Sequence, residues 1–307
     1  MTRADITDNP FFKAVPRALE HLSERPIPED TMNDLIAPVS FAFGLAVTVS
    51  CIIRMTGGPG HGQALAASGI PAGFLASWAW MSGFSFSTEG LLEQTAHVAL
   101  GGALAGVVLD SSNARRWLRV PVILLFAAVC IWASFGFPTR LPAGPVTRME
   151  LMVGCILLTM VWVTTLLGLD LHHKPERSTQ GLSILLVLAI GIGLIASVIK
   201  AEPVTGPAFA LAAATAGVLV LASPLGTGLS SSAILGGGGA LLGLAQGLGA
   251  RWPGSIMPLL ITGLGLFAGP TARRMPGPVW AKPLWAALLA SIPVMAGCIL
   301  ALANRNP

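Results

Sequence analysis

Long apolar segments separated by short polar loops dominate this chain from residue 35 onward. Most of these segments are close to the ~20 residues that an α-helix needs to cross a bilayer. About ten of them follow one another, at 35–53, 64–86, 95–109, 120–137, 151–171, 181–199, 207–223, 229–249, 255–269 and 283–303. The pattern predicts an all-α fold, a polytopic transmembrane helix bundle of about ten spans.

Residues 1–34 differ from the rest of the chain, because they hold half of its 14 acidic residues. Within this leader, apolar residues recur at helical spacing, and charged residues lie on the opposite face. The apolar residues are Phe11, Phe12, Val15, Leu19 and Leu22. That spacing predicts a short amphipathic helix in the membrane interface, closed by Pro26 and Pro28. A disordered leader is the alternative. The predicted organisation is therefore a leader, 1–34, followed by a transmembrane helical domain, 35–307.

Charge is scarce and sits beside the apolar segments. The chain is 53% hydrophobic and 10% charged, with a net charge of +4. Basic residues clustered beside spans serve orientation and lipid headgroups, so we expect membrane lipids as partners and no nucleic acid. The seven carboxylates beyond Asp34 all lie at predicted span edges. Acids within the spans usually mark ion or proton paths. The predicted spans contain no acid away from their edges, which disfavours a proton-driven pump.

Lys and Arg in the short loops predict the orientation. Loops after odd-numbered spans hold nine of them: Arg54, Arg115, Arg116, Arg119, Lys174, Arg177, Arg273, Arg274 and Lys282. Loops after even-numbered spans hold four: Arg140, Arg148, Lys200 and Arg251. Because cytoplasmic loops carry the basic excess, the first set is predicted to be cytoplasmic. Both termini would then be periplasmic in a bacterial-type inner membrane.

That orientation places one polar constellation on the cytoplasmic face. Asp110 and Glu176 are candidate Mg²⁺ ligands, because Mg²⁺ binds beside a diphosphate through one or two carboxylates. The same two residues and His173 are the candidate catalytic groups. Arginines bind phosphate bidentately, and the candidates for a lipid phosphate are Arg115, Arg116, Arg273 and Arg274. Ordinary flanking charges in headgroup water remain an equal alternative.

A segment rich in Gly and Ser, residues 226–239, superficially resembles a phosphate-cradling loop. No Lys follows it and no strand precedes it, so the P-loop interpretation fails. Four consecutive glycines, Gly236 to Gly239, each cost a helix roughly 1 kcal/mol relative to Ala. We therefore favour a close helix crossing or a local break in the eighth span.

Four landmarks, taken in order, carry a family resemblance. The third span ends in Val108–Ser112 (VLDSS), which is followed by Arg115 and Arg116. The fifth span runs into Leu167–Glu176 (LGLDLHHKPE), and the eighth contains Gly236–Gly243 (GGGGALLG). The ninth runs from Pro258 to Ala268 and is followed by Arg273 and Arg274. This order resembles the polyprenyl-phosphate N-acetylhexosamine-1-phosphate transferases, which include the phospho-N-acetylmuramoyl-pentapeptide transferases. The resemblance spans roughly residues 35–303.

The resemblance also shows which family acids this chain lacks. The family's third span ends in L-D-D, of which Asp110 matches the first acid and Ser111 replaces the second. In the family's N-x-x-N-x-x-D-G-x-D-G-L motif, Asp170 takes the second Asn, His173 the first Asp and Glu176 the second Asp. The acids of the eighth span (G-D-x-G-S) and of the ninth (L-F-D) are absent here, where Ala268 stands at the latter. The resemblance implies Mg²⁺ as cofactor and polyprenyl phosphate as substrate.

Three hypotheses about function follow. The first is a non-catalytic relative of this family, a pseudoenzyme that binds a lipid carrier or a membrane-protein partner in envelope glycan assembly. Loss of catalysis is expected because each missing metal or phosphate ligand removes several kcal/mol of transition-state stabilisation. The second is an active, divergent phosphosugar transferase that uses Asp110, Glu176 and His173 with Mg²⁺. The third is a channel or scaffold subunit of a membrane complex, including a homo-oligomer.

The basic asymmetry predicts a specific topology. A reporter fused after Arg116, Lys174 or Arg274 should be cytoplasmic, and one fused after Arg140 or Arg251 should be periplasmic. Alkaline phosphatase and fluorescent-protein fusions measure the two outcomes. An inverted pattern would remove the cytoplasmic constellation, and the transferase resemblance would lose its topological basis.

Overall fold

The computed structural model describes residues 29–58, 62–83, 91–112, 116–135, 148–170, 175–225, 229–278 and 281–304. Helices dominate these ranges, and no residue within them forms a β-strand. The predicted interfacial helix around residues 11–22 lies outside the described residues. The helical fold class predicted from the hydrophobic pattern is confirmed for the part of the chain that is described.

The helices alternate with short connections. In chain order they are α1 Glu29–Thr56, α2 Gly69–Ser82, α3 Leu91–Ser111, α4 Arg116–Phe135, α5 Arg148–Asp170, α6 Pro175–Val198, α7 Glu202–Leu225, α8 Gly238–Arg251, α9 Ile256–Gly263, α10 Ala268–Arg274 and α11 Lys282–Asn304. A π-helical turn, Ala233–Gly237, leads directly into α8, and a 3₁₀ turn, Leu264–Phe267, joins α9 to α10. Each predicted span overlaps one of these helices, except the ninth, which overlaps α9, the 3₁₀ turn and α10 together. The second span also overlaps two short helical turns, Gln63–Leu65 and Ala66–Ser68, and the eighth also contains the π-helical turn.

Within the described ranges, six helical segments are long and apolar enough to cross a membrane: Leu35–Thr56, Thr179–Val198, Glu202–Ala222, Ala233–Arg251, Pro253–Arg274 and Lys282–Asn304. They correspond to α1, α6, α7, α8, the α9–α10 unit and α11. Each has at least the 18 residues needed for a hydrocarbon core about 30 Å thick. The other four predicted spans coincide with α2 to α5, and their crossing of the membrane is part of the proposal below.

Helix α8 lies at the centre of the bundle. Every residue from Gly238 to Gly249 is buried, which is unusual even within a membrane protein because most spans keep one face toward lipid. A Cβ placed on Gly239 would lie 2.8 Å from the ring of Phe126 on α4, and one on Gly243 would lie 3.2 Å from Thr95 on α3. Gly239 and Gly243 are four residues apart and share one face of α8, so this face admits both α3 and α4 closely.

The glycine run Gly236–Gly239 forms a close helix crossing, the first of the two predicted alternatives. The helix is not broken there, because it continues through the π-helical turn at Ala233–Gly237 into α8. The crossing is with the first turn of α2, since a Cβ on Gly236 would stand 2.7 Å from Pro71 and one on Gly237 would stand 2.9 Å from Ile70. Small residues let helices approach closely in lipid, where burial of apolar surface alone does not drive them together.

Helices α1 and α2 pack through two matching stripes of small residues spaced by four. The stripe on α1 is Ala42, Ala46 and Ser50, and the stripe on α2 is Gly69, Gly73 and Ser77. Hydrogen bonds close both ends of the contact: Ser50 Oγ donates to the carbonyl of Ala66 at 2.7 Å, and Ser77 Oγ donates to that of Pro38 at 2.8 Å. The pair is therefore fixed in antiparallel register by sterics and by two hydroxyl groups.

Antiparallel contacts bring one set of helix ends together. Gly106 of α3 faces Ser232 at the start of the π turn, and Thr95 faces Gly243, so α3 ends where α8 begins. Likewise Thr159 on α5 accepts a 3.0 Å hydrogen bond from Gln246 Nε2, near the far end of α8. We call this shared end of the bundle the arginine-rich end. It carries the ends of α3, α5 and α10 and the starts of α4, α6 and α8.

Gly73 provides a test of the α1–α2 packing. A Cβ at Gly73 would lie 2.5 Å from the carbonyl oxygen of Ala42, whereas a Cβ at Gly44 on the same helix pair meets nothing within 4 Å. We expect Gly73→Ala to reduce the free energy of unfolding by about 1–3 kcal/mol through overpacking. Gly44→Ala should leave it unchanged or raise it by up to about 1 kcal/mol. Thermal unfolding in detergent measures both, and equal shifts would contradict the packing described.

Candidate functional site

The site is built on α3, where a stripe of residues spaced by four resembles the stripes on α1 and α2. Its members are Gly102, Gly106 and Asp110, and both glycines touch backbone rather than side chains. A Cβ on Gly106 would lie 2.6 Å from the carbonyl carbon of Ser231, and one on Gly102 would lie 2.6 Å from that of Leu235. The backbone of the helix that begins at Ser231 therefore rests directly on α3. The next member of the stripe, Asp110, meets the start of that helix.

Asp110 caps this helix with both of its oxygens. Its Oδ1 accepts the backbone N–H of Ser231 at 2.9 Å, and its Oδ2 accepts that of Ser232 at 3.0 Å. The side chain is buried, with 5% of its surface exposed. A carboxylate at a helix N-terminus satisfies amides that lack intrahelical partners and interacts favourably with the helix dipole. Asp110 therefore joins α3 to α8 through two charge-assisted hydrogen bonds.

Ser230 completes the cap. Its Oγ accepts the backbone N–H of Ala233 at 3.2 Å and lies 2.7 Å from Ser232 Oγ, while its carbonyl accepts the N–H of Ile234 at 3.0 Å. The first amides of the helix are thus satisfied by two side chains from different parts of the chain. The hydroxyl of Ser231 is different, because it is buried and has no hydrogen-bond partner in the described part of the chain.

Beside this cap lies a narrow crevice between α3, α4 and the start of the π turn. It is lined by Leu109, Arg119, Ile123, Ser231, Ile234 and Leu235. The free space is about 180 Å³ including the open mouth, and the inner part is too narrow for a water molecule. Arg119 Nε is buried here and, like Ser231 Oγ, has no hydrogen-bond partner among the described residues. We call this feature the Arg119–Ser231 crevice.

The predicted acids are placed differently from one another. Asp110 is buried at the cap, while Ser111, at the position of the family's second acid, is exposed and donates to the carbonyl of Val108 at 3.0 Å. Glu176 lies in the first turn of α6, at the arginine-rich end. His173 lies outside the described residues. The structure therefore brings the helix ends that carry Asp110 and Glu176 to one end of the bundle.

The predicted lipid-phosphate residues also lie around this end. Arg116 begins α4, and Arg273 and Arg274 end α10, where Arg273 is half-buried and Arg274 is exposed. Arg115 lies outside the described residues. The described basic residues of this set are thus contributed by two helix termini at the arginine-rich end.

The Mg²⁺ that the family resemblance implies does not fit Asp110 as the structure places it. Each oxygen already accepts a backbone N–H group, and the side chain is only 5% exposed, so an octahedral Mg²⁺ with the several waters that it usually keeps has no room there unless the helix cap opens. Within the described ranges, no group of three His, Cys, Asp or Glu residues is arranged to hold a metal ion. The polar groups that remain unpaired beside the cap are Arg119 Nε and Ser231 Oγ, and both are hydrogen-bond donors.

The sequence does not reveal that Arg119 and Ser231 meet in one crevice. It identifies Arg119 only as a basic loop residue and Ser231 only as part of a segment rich in Gly and Ser. The available signal was the spacing of Gly102, Gly106 and Asp110, which places an acid at the end of a stripe of close backbone approach. Only the identity of the approaching segment was missing.

Comparisons with protein-family models and with curated protein sequences give no match. The resemblance to the polyprenyl-phosphate transferases therefore rests on the four landmarks of the sequence.

Removal of the cap should destabilise the bundle. Asp110→Ala leaves two buried amides unsatisfied, each at a cost of about 1–3 kcal/mol, so we expect a clear drop in melting temperature. Ser111→Ala, one residue away but exposed, should change the stability by no more than about 0.5 kcal/mol. Circular dichroism melts in one detergent measure both variants. Similar melting temperatures for both would contradict the capping role of Asp110.

Proposed function

We propose that this chain is a non-catalytic, lipid-carrier-binding protein of a bacterial-type inner membrane. In this proposal it has about ten spans and periplasmic termini, and it binds polyprenyl phosphate at the arginine-rich end as a partner in envelope glycan assembly. The observation that carries the proposal is the capping role of Asp110. This residue is the one family acid that matches in type, and it is used to hold two helices together.

The positions of the other family acids support the absence of catalysis. Ser111 is exposed and has no carboxylate, and Ala268, at the position of the ninth-span acid, is buried. Gly236–Gly239 fill a close helix crossing that leaves no room for an acid without displacing Pro71, Ile70 or Phe126. Transfer of a phosphosugar needs a metal held against a diphosphate, and these positions supply no ligand for it.

The surroundings of the arginine-rich end support the binding of an anionic lipid. Basic residues there neighbour helix faces with exposed apolar side chains, among them Val107 and Val108 on α3 and Leu124 and Leu125 on α4. A membrane lipid has the same two parts, an anionic phosphate and an apolar chain, and basic groups at the membrane surface attract such headgroups. The choice of a polyprenyl chain comes from the family resemblance.

The experiment has two readouts on the purified protein in lipid nanodiscs. Given Mg²⁺, undecaprenyl phosphate and UDP-N-acetylhexosamines, it should form no lipid-linked sugar above an empty-nanodisc control. It should nevertheless bind undecaprenyl phosphate, detected by native mass spectrometry, and bind uncharged undecaprenol at least about tenfold more weakly, the loss expected when a charge-assisted contact is removed.

Each contrary result selects another hypothesis. Turnover that Glu176→Gln abolishes, without a change in melting temperature, would establish a divergent transferase. Absence of both turnover and lipid binding would overturn the lipid-carrier proposal and leave a channel or scaffold subunit. Glu176 is preferred to Asp110 for this comparison, because substitution of Asp110 would also disturb the fold.

A further inference from the structure

The Arg119–Ser231 crevice contains two buried polar groups that have no hydrogen-bond partner among the described residues. Ser231 is 4% exposed, its Oγ lines the crevice, and neither it nor Arg119 Nε has a hydrogen-bond partner in the described ranges. Buried polar groups are nearly always paired, because each unpaired group loses its interactions with water without replacement. Water does not fit the inner crevice. Oxygen atoms of a ligand would reach both groups only after the Arg119 side chain moves outward.

The charge of the surroundings selects an anion. Between Asp110 and Arg119 the sequence contains one acid and three arginines. The carboxylate of Asp110 accepts the backbone N–H groups of Ser231 and Ser232, so its charge is directed at the start of the capped helix. A guanidinium presents its N–H groups in a planar fork that matches the oxygens of a phosphate, and the Ser231 hydroxyl adds one more donor.

The walls of the crevice select a ligand with an apolar chain. Leu109, Ile123 and Ile234 line it beside the two polar groups. Directly outside, Val108 and Leu124 are 64% and 47% exposed, so the crevice opens next to a face of the bundle that is suited to lipid. A free inorganic phosphate would leave this apolar surface unused.

We propose that the Arg119–Ser231 crevice is the site that holds the phosphate of an anionic membrane lipid, a phosphate monoester on a long apolar chain. This inference rests on the proposed function and assigns it to one place. The phosphate lies at the mouth, where the Arg119 side chain turns outward to meet it and uncovers the hydroxyl of Ser231. The first carbons of the chain lie on Leu109 and Ile123. Arg116, Arg273 and Arg274 serve as outer basic residues that attract the headgroup.

The test compares four proteins in nanodiscs: wild type, Arg119→Gln, Ser231→Ala and, as a control, Arg251→Gln. Arg251 is an exposed arginine in the last turn of α8, at the other end of the bundle. We expect Arg119→Gln to weaken undecaprenyl phosphate binding about tenfold or more and Ser231→Ala about fivefold. Arg251→Gln should stay within about twofold, because an exposed cation far from the site contributes little.

Stability without added lipid provides a second readout. Because Arg119 and Ser231 carry unpaired buried groups, Arg119→Gln and Ser231→Ala should melt at the same temperature as wild type or higher. Lower melting temperatures for both variants would show that the two side chains serve the fold, and the site proposal would be overturned.

Three further ligands separate this inference from the proposed function. If wild type binds undecaprenyl phosphate but neither variant weakens it, the crevice is not the site, while the lipid-carrier function stands. If phosphatidylglycerol, a phosphate diester, binds in an Arg119-dependent way and undecaprenyl phosphate does not, the crevice still holds a lipid phosphate, but the monoester assignment and the lipid-carrier function are both overturned. Inorganic phosphate that binds as tightly as the lipid, or undecaprenol that binds equally well, would overturn the assignment of a lipid phosphate.

Discussion

The contact of Asp110 with the amides of Ser231 and Ser232 is the constraint on which the rest of the bundle depends. A buried carboxylate is costly unless its oxygens are satisfied, and buried helix amides are costly unless they are capped. Each group here removes the cost of the other. Because the two groups are 121 residues apart in sequence, the pairing fixes α3 against the start of the segment that contains α8, which is the most completely buried of the apolar segments.

Small residues then determine how close the other helices come. In lipid the apolar side chains gain little by leaving their surroundings, so association relies on packing and on hydrogen bonds between helices. The stripes on α1, α2 and α3 meet backbone atoms or other small residues, while hydroxyl groups such as Ser50 and Ser77 bond to carbonyls of the neighbouring helix. This explains why a chain with 36 glycines forms a helical bundle.

The sequence predicted the elements well and their contacts poorly. Apolar segments of about 20 residues identify helices because length and composition suffice, and the run Gly236–Gly239 indicated a crossing because only close packing favours four glycines in a helix. The partners at that crossing, such as Pro71 and Ile70, could not be predicted, because pairing depends on three-dimensional arrangement. The role of Asp110 was missed for the same reason. An acid at the end of a span is compatible with a metal site, a headgroup contact or a helix cap.

The enclosed position of α8 has a consequence for how the chain assembles during synthesis. Of the six apolar segments, the one containing α8 is the most completely buried and is among the least apolar, so it has a weak tendency to enter lipid alone. It also follows α1 to α7 in the chain. The earlier helices must therefore wait with an unfilled centre until α8 leaves the ribosome, and the folding of the bundle is completed from its C-terminal third rather than from its beginning.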